Sequence, residues 1–294
     1  MRLSALGLVL LLCACTRTTR NAEAAATAIP QPQPGAQAYA NVVVSRDIPF
    51  AEPEGKPLKL DVYRPEPTPP GRELPVVIYF HGGGWRSGDK KGGADYLEAL
   101  ARRGFVGVSA NYRLSGQATF PAQLEDARAA VAWTAEHVAS YGGDGTKVGV
   151  FGTSAGAHLA SLVGTAGAGN DTRVRAVADW YGPSDLRDAT LWPKASRSMI
   201  EQLLGGTPAQ NQHLAEEASP LAFVSAGDAP FLIIHGDRDN TVPVGQSRSL
   251  RDALESAGVP VQYIEVTAGG HGSFGKAKTN ELIETMAAFF HANL

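Results

Sequence analysis

The sequence predicts an α/β fold, a mainly parallel eight-stranded sheet with helices on both faces, and two observations carry that prediction. From Asn41 onward, short runs rich in Val, Ile and Phe alternate with stretches of helical periodicity, as the strands and crossover helices of a parallel sheet must. The later runs are apolar almost throughout, the pattern of strands covered on both faces. No fixed-period repeat competes with this reading. With 294 residues and 44% hydrophobic content, the chain can bury one large core.

In chain order, Val42 to Ile48 and Leu58 to Tyr63 read as an antiparallel opening pair joined through a Pro- and Gly-containing turn. Buried-strand candidates follow at Val76 to Phe80, Val106 to Ala110, Val148 to Phe151, Ala176 to Trp180, Phe231 to His235 and Val261 to Val266. Between them lie helical patterns at Tyr96 to Arg103, Pro121 to Ser140, Ala155 to Val163, Val244 to Ala257 and Asn280 to Ala292. The clearest is Pro121 to Ser140, where Leu124, Ala127, Val131 and Trp133 or Ala135 recur near the helical period. Gly182 to Asp228 contains Pro183, Pro193, Pro208 and Pro220 and interrupts the alternation. It is expected to be a small insertion beside the carboxyl ends of the strands rather than a second domain.

The first residues form a separate unit. Arg2, the apolar run Leu6 to Leu12 and Cys13-Ala14-Cys15 make a short signal-type segment. It is too short to span a bilayer, which needs about 20 apolar residues. Leu12-Cys13-Ala14-Cys15 resembles a bacterial lipobox, in which the chain is cut before a lipid-modified cysteine that follows a small residue. Cys15, after Ala14, fits as the lipidated position; Cys13, after Leu12, fits worse. An ordinary secretory signal cut nearby is the alternative, and either directs export. The expected division is a lipoprotein signal peptide over residues 1–14, a disordered Ala/Thr/Pro/Gln-rich linker over 15–40 and one folded α/β domain over 41–294. The product is expected to be exported and lipid-anchored to a bacterial cell membrane, on its periplasmic or outer-surface side.

Both cysteines of the chain lie in this leader, so the domain is expected to rely on its core with no disulfide. The formal charge is only -3, which gives no reason to expect a nucleic-acid or polyanion partner.

The strongest local signal is Gly152-Thr153-Ser154-Ala155-Gly156, which follows a predicted strand and opens a predicted helix. A serine hydroxyl is a poor nucleophile and must stand on a tight turn where a base can reach it, with glycines beside it to avoid clashes. Upstream, His81-Gly82-Gly83-Gly84-Trp85 closes another strand. Bare glycine backbone there can offer N–H groups to the oxyanion of an acyl-transfer intermediate. The expected donors are Gly83, Gly84 and Ala155, with Gly82 open as an alternative register. No Gly-Lys-Ser/Thr follows, which weighs against a phosphate cradle.

Of the seven histidines, His271 is the candidate base, because Gly269-Gly270-His271-Gly272 falls between the last predicted strand and the final helix. His158, one helical turn after Ser154, reads as a structural histidine. His81 and His235 close strands and are expected to bond loops, and His137, His213 and His291 fall on predicted surfaces. Asp239, on the loop after a buried strand, is the candidate carboxylate that holds the imidazole in the right tautomer. Asp237 is its rival and reads as a turn former. The chain order Ser, Asp, His is that of α/β-hydrolases.

Over nearly all of Val42 to Leu294 the sequence resembles the α/β-hydrolase esterases that include bifunctional feruloyl and acetyl-xylan esterases and hormone-sensitive-lipase relatives. The resemblance is carried by Leu60-Asp61-Val62-Tyr63-Arg64-Pro65, His81 to Trp85, Asn111-Tyr112-Arg113, the turn around Ser154, Tyr181-Gly182-Pro183-Ser184-Asp185-Leu186, Asp239 before Val242-Pro243, and His271. It implies an α/β-hydrolase fold, a Ser–His–Asp mechanism through an acyl-enzyme, no cofactor and no metal, and small-molecule or carbohydrate esters with short acyl, acetyl or feruloyl groups. Thr153 stands where many hormone-sensitive-lipase relatives carry an acidic residue, which favours the feruloyl and acetyl-xylan side. The competing readings are a prolyl-oligopeptidase-like peptidase, a kynurenine-formamidase-like amide hydrolase, and a non-catalytic polysaccharide-binding module.

Overall fold

The computed structural model describes residues 39–68, 71–165 and 174–294. The expected signal peptide, Cys15 and almost all of the expected linker lie outside the described residues. The strands are β1 (Asn41–Ala51), β2 (Leu58–Glu66), β3 (Leu74–Phe80), β4 (Val106–Ala110), β5 (Gly143–Thr153), β6 (Ala176–Trp180), β7 (Phe231–Gly236) and β8 (Val261–Val266). The helices are α1 (Ala94–Ala101), α2 (Ala122–His137), α3 (Ala155–Thr165), α4 (Lys194–Leu204), α5 (Gln212–Glu217), α6 (Gly245–Ser256) and α7 (Lys276–Asn293).

Among the described residues the strands form one eight-stranded sheet in the order β1-β2-β4-β3-β5-β6-β7-β8. β2 runs antiparallel to both β1 and β4, and every pairing from β4 through β8 is parallel. The near-continuous apolar runs are explained by two cores. Along β3, Val76, Ile78 and Phe80 face one core while Val77 and Tyr79 face the other. Phe231 and Ile233 against Leu232 and Ile234 split β7 in the same way. Residues of α2, α3, α4 and α6 fill the first core, and residues of α1 and α7 the second.

Two local readings need correction. The apolar stripe of α2 runs through Leu124, Ala127 and Val131, with Trp133 partly buried against the same core; Ala135, the alternative, is exposed, and Thr134 is buried in its place. A threonine is tolerated there because its hydroxyl donates to the Ala130 carbonyl at 2.7 Å, so burial leaves no unmet polar group. β5 is longer than Val148 to Phe151, because its first residues, polar and Gly-rich, pair at the edge of the run where composition signals a loop.

The segment after β6 holds α4 and α5, and its Ile200, Leu203, Leu204, Ala215 and Ala218 join the first core. This insertion is packed against the same core as one face of the sheet.

Candidate active site

Three loops meet at the carboxyl edge of the parallel strands. β5 ends at Thr153 and α3 begins at Ala155, so Ser154 makes the turn alone, at φ 54° in the left-handed region. That conformation costs a non-glycine residue on the order of 1–2 kcal/mol. It is held by the Ser154 amide, which donates to the Trp180 carbonyl at 2.9 Å, and by the Ser154 carbonyl, which accepts from the His158 amide at 3.0 Å. The flanking glycines follow from space. A Cβ on Gly156 would lie 1.9 Å from the Phe80 carbonyl oxygen, and one on Gly152 would lie 2.2 Å from the Gly156 backbone.

His271 arrives on the loop between β8 and α7, and Asp239 on the loop between β7 and α6. His271 Nε2 stands 2.9 Å from Ser154 Oγ, and His271 Nδ1 stands 2.6 Å from Asp239 Oδ2. A carboxylate only accepts, so Nδ1 carries the proton and Nε2 receives the hydrogen bond of the Ser154 hydroxyl. The other Asp239 oxygen accepts the amides of Thr241 and Val242 at 2.7 and 2.9 Å. Burial works against charge on Asp239, but hydrogen bonds from His235 and His271, the His271 charge and the Thr241 amide outweigh it. Together they hold the carboxyl well below its ordinary range. Asp237, the rival, bonds neither histidine among the described residues; its amide donates to the Val266 carbonyl.

The glycine loop after β3 packs directly on the Ser154 turn, since a Cβ on Gly82 would lie 3.0 Å from the Thr153 carbonyl. Gly83 has φ 117° and Gly84 φ 59°, a course open to glycine. The Gly83 carbonyl is occupied by the amides of Arg86 and Ser87 and by the Ser87 hydroxyl. Among the described residues no backbone carbonyl takes the amides of Gly82, Gly83, Gly84 or Ala155. Ala155 also opens α3, where the helix dipole favours negative charge. Gly82, Gly83, Gly84, Ser154, Tyr181 and His271 border a cleft of about 390 Å³.

The remaining motifs brace this loop. Tyr112 donates its hydroxyl to the His81 carbonyl at 2.8 Å and stacks on the His81 ring. Asn111 accepts the Lys90 amide at 2.7 Å, and the Lys90 ammonium reaches buried Asp61 at 2.8 Å. His158 is fully buried, accepting from the Trp85 indole at 3.2 Å and donating to the Ala218 carbonyl at 2.7 Å. His81 lends its Nδ1 proton to the Gly82 carbonyl at 2.7 Å.

Three features escape a reading of the sequence. His235 does bond a loop, the Val242 carbonyl at 3.0 Å, but its Nε2 also donates to Asp239 Oδ2 at 3.1 Å. Ser247 meets its Nδ1 at 2.7 Å. The four-residue spacing from His235 to Asp239 is the only signal of this contact in the sequence. Tyr181, at φ 51°, sets its ring edge-on to His271 with centroids 4.8 Å apart, which limits where the imidazole can swing. Met199 and Trp192, from the insertion, come to border Ser154 across a small cavity.

Comparison with known proteins agrees with this geometry. The BD-FAE family matches residues 60–254, a stretch that holds Ser154 and Asp239 and ends before His271. Esterase LipQ of Mycobacterium tuberculosis is 35% identical over 245 residues, covering 79% of this chain and 58% of LipQ. The chain therefore spans less than two thirds of that relative's length. Among solved structures, a truncated carbohydrate esterase from gut microbiota superposes with a TM-score of 0.72 at 28% identity, covering 88% of this chain and 98% of that one. Thermogutta terrifontis esterase 2 phosphonylated by sarin gives 0.71 at 26% identity, covering 86% and 94%. With its eight-stranded sheet, its serine turn and this match, the chain belongs to the BD-FAE family and has the α/β-hydrolase fold.

Proposed function

We propose that the protein is a serine esterase that cleaves carboxylic esters through an acyl-enzyme. The observation that carries this reading is the unbroken path from the Ser154 hydroxyl through His271 to Asp239, at 2.9 and 2.6 Å. Ser154 Oγ attacks the ester carbonyl carbon as its proton passes to His271 Nε2. The charge formed on the carbonyl oxygen is held by the amides of Gly83, Gly84 and Ala155. Collapse breaks the bond to the alcohol oxygen, which leaves with the proton from His271. Water then gives a proton to His271 and attacks the acyl carbon, releasing the acid and restoring the serine hydroxyl. Asp239, kept ionised, stabilises the imidazolium in both halves.

The likeness to a gut carbohydrate esterase and to esterases of other organisms supports a small-molecule or carbohydrate ester as substrate. The test is labelling by a fluorophosphonate together with hydrolysis of nitrophenyl acetate. Both should be present in the native chain and absent from Ser154→Ala. Hydrolysis of aminoacyl amides in preference to acetate esters would instead mark a peptidase, and neither labelling nor turnover would mark a binding module.

We further propose that Cys15 is lipidated and anchors the protein to a bacterial membrane after export. This rests on the Leu12-Cys13-Ala14-Cys15 pattern. Incorporation of labelled palmitate that is lost in Cys15→Ser would support it, and retention of label in that variant would refute it.

A further inference from the structure

Two cavities of different character meet at Ser154. The larger is the cleft, about 390 Å³, which His271 borders together with Arg86, Ser87 and the glycine loop. The smaller is about 20 Å³ and lies against Ser154, Ala155 and Gly84, but His271 does not border it. Its walls are Trp85, Pro183, Trp192, Met199, Ile200 and Val242. Ser196 also borders it but spends its hydroxyl on the Thr241 carbonyl at 2.7 Å, which ties α4 to the loop that carries Asp239.

What each cavity can take rests on the esterase reading and on the direction of proton transfer within it. His271 must hand its proton to the departing alcohol oxygen, so the alcohol lies on the side that His271 borders. The carbonyl oxygen faces the amides of the glycine loop and Ala155. The third substituent of the carbonyl carbon, the acyl chain, is left with the side away from His271. We infer that the small apolar cavity is the acyl site, that its size admits the methyl group of an acetyl ester and rejects feruloyl and longer acyl chains, and that Met199 and Trp192 set this limit. A cavity needs roughly 10–15 Å³ to hold one water-sized group, so about 20 Å³ suits a single small group. Met199, whose thioether is packed over Gly84, 2.3 Å from where a Cβ on that glycine would be, stands between the small cavity and the cleft and borders both. The open cleft, in contrast, accepts a bulky alcohol.

The experiment is a series of nitrophenyl acetate, butyrate and octanoate, with methyl ferulate, assayed on the full chain, on Met199→Ala and on Trp192→Leu. The native protein should lose at least about 10-fold in kcat/KM from acetate to butyrate, in line with what a methylene is worth in a tight pocket. It should also give no measurable turnover of methyl ferulate. Met199→Ala, at a half-buried position, should raise the butyrate-to-acetate ratio by about 10-fold or more. Trp192 borders the small cavity and not the cleft. Trp192→Leu should thus raise the same ratio while the preference between nitrophenyl and methylumbelliferyl acetate stays as in the native protein. Equal turnover of acetate, butyrate and ferulate by the native protein would overturn the acyl-site assignment and leave the esterase reading standing, as would an unchanged ratio in Met199→Ala. Failure to turn over any ester, with no fluorophosphonate adduct, would remove both.

Discussion

His235 Nε2 lies 3.1 Å from Asp239 Oδ2, the same oxygen that His271 Nδ1 engages at 2.6 Å. Asp239 is thus gripped by two imidazoles on one oxygen and two backbone amides on the other, and its side chain is fully buried. His235→Ala removes one of these four bonds and lets the carboxylate turn, while leaving the substrate's surroundings intact. The expected result is a fall in kcat of about 10- to 100-fold, the equivalent of ~1–3 kcal/mol for a broken buried hydrogen bond, with KM little changed. His235→Gln, whose amide can donate along the same direction, should recover part of it. Steady-state kinetics on folded protein decides the matter: a higher KM with unchanged kcat would reduce His235 to packing.

Ser154→Ala should lower kcat for nitrophenyl acetate by about 10⁴-fold or more, because the triad acts as a unit. Fluorophosphonate labelling should vanish with it. Native-level turnover in this variant would place the nucleophile elsewhere.

The backbone at Ser154 makes a separate prediction about stability. At φ 54° any residue with a Cβ is strained. Ala and Gly both lack the hydroxyl, so they differ there mainly in that strain. Ser154→Gly should be more stable than Ser154→Ala by about 1 kcal/mol, against the usual order of the two residues. Urea denaturation of the pair measures the difference, and an alanine variant as stable as the glycine variant would contradict the strain.

Acid should weaken the fold through His158. Burial pushes its pKa down from 6.5 to about 4, although its bond to the Ala218 carbonyl works the other way. Above 6.5 neither state binds the proton and the stabilisation is complete. As pH falls from 6.5 to about 4, the unfolded chain takes up a proton that the native state refuses, so stability is lost across that window. The loss amounts to about 3 kcal/mol. His81, also pushed down by burial, adds the same sign. Asp239 acts lower: its depressed pKa contributes stability above 3.8 that disappears only as pH falls through the folded value. Unfolding free energies at pH 7.5 and 4.5 should differ by less in His158→Gln than in the native protein; equal differences would mean that His158 does not carry the effect.

Most strands and the order Ser154, Asp239, His271 are legible in the sequence, because both are local patterns. A run of Val and Ile covered on two faces has to look apolar throughout, and a serine on a strand-to-helix turn has to stand between glycines. Where local chemistry compensates for burial, the pattern misleads. Thr134 resembles a surface residue because its hydroxyl is satisfied within its own helix turn.

Local patterns determined by themselves that this chain buries a two-sided sheet and sets a serine between glycines, an aspartate and a histidine on three separate loops. Tertiary structure alone decided that β4 lies between β2 and β3, that His235 shares Asp239, and that Met199 and Trp192 wall one side of Ser154. The physical reason is that hydrophobic burial has no direction. It tells each segment to leave water without naming the neighbour it will meet, whereas hydrogen-bond partners and cavity walls are set by which segments meet and at what register. Ser154 and His271, 117 residues apart in the chain and 2.9 Å apart in the fold, acquire a shared hydrogen bond only when the whole sheet has closed.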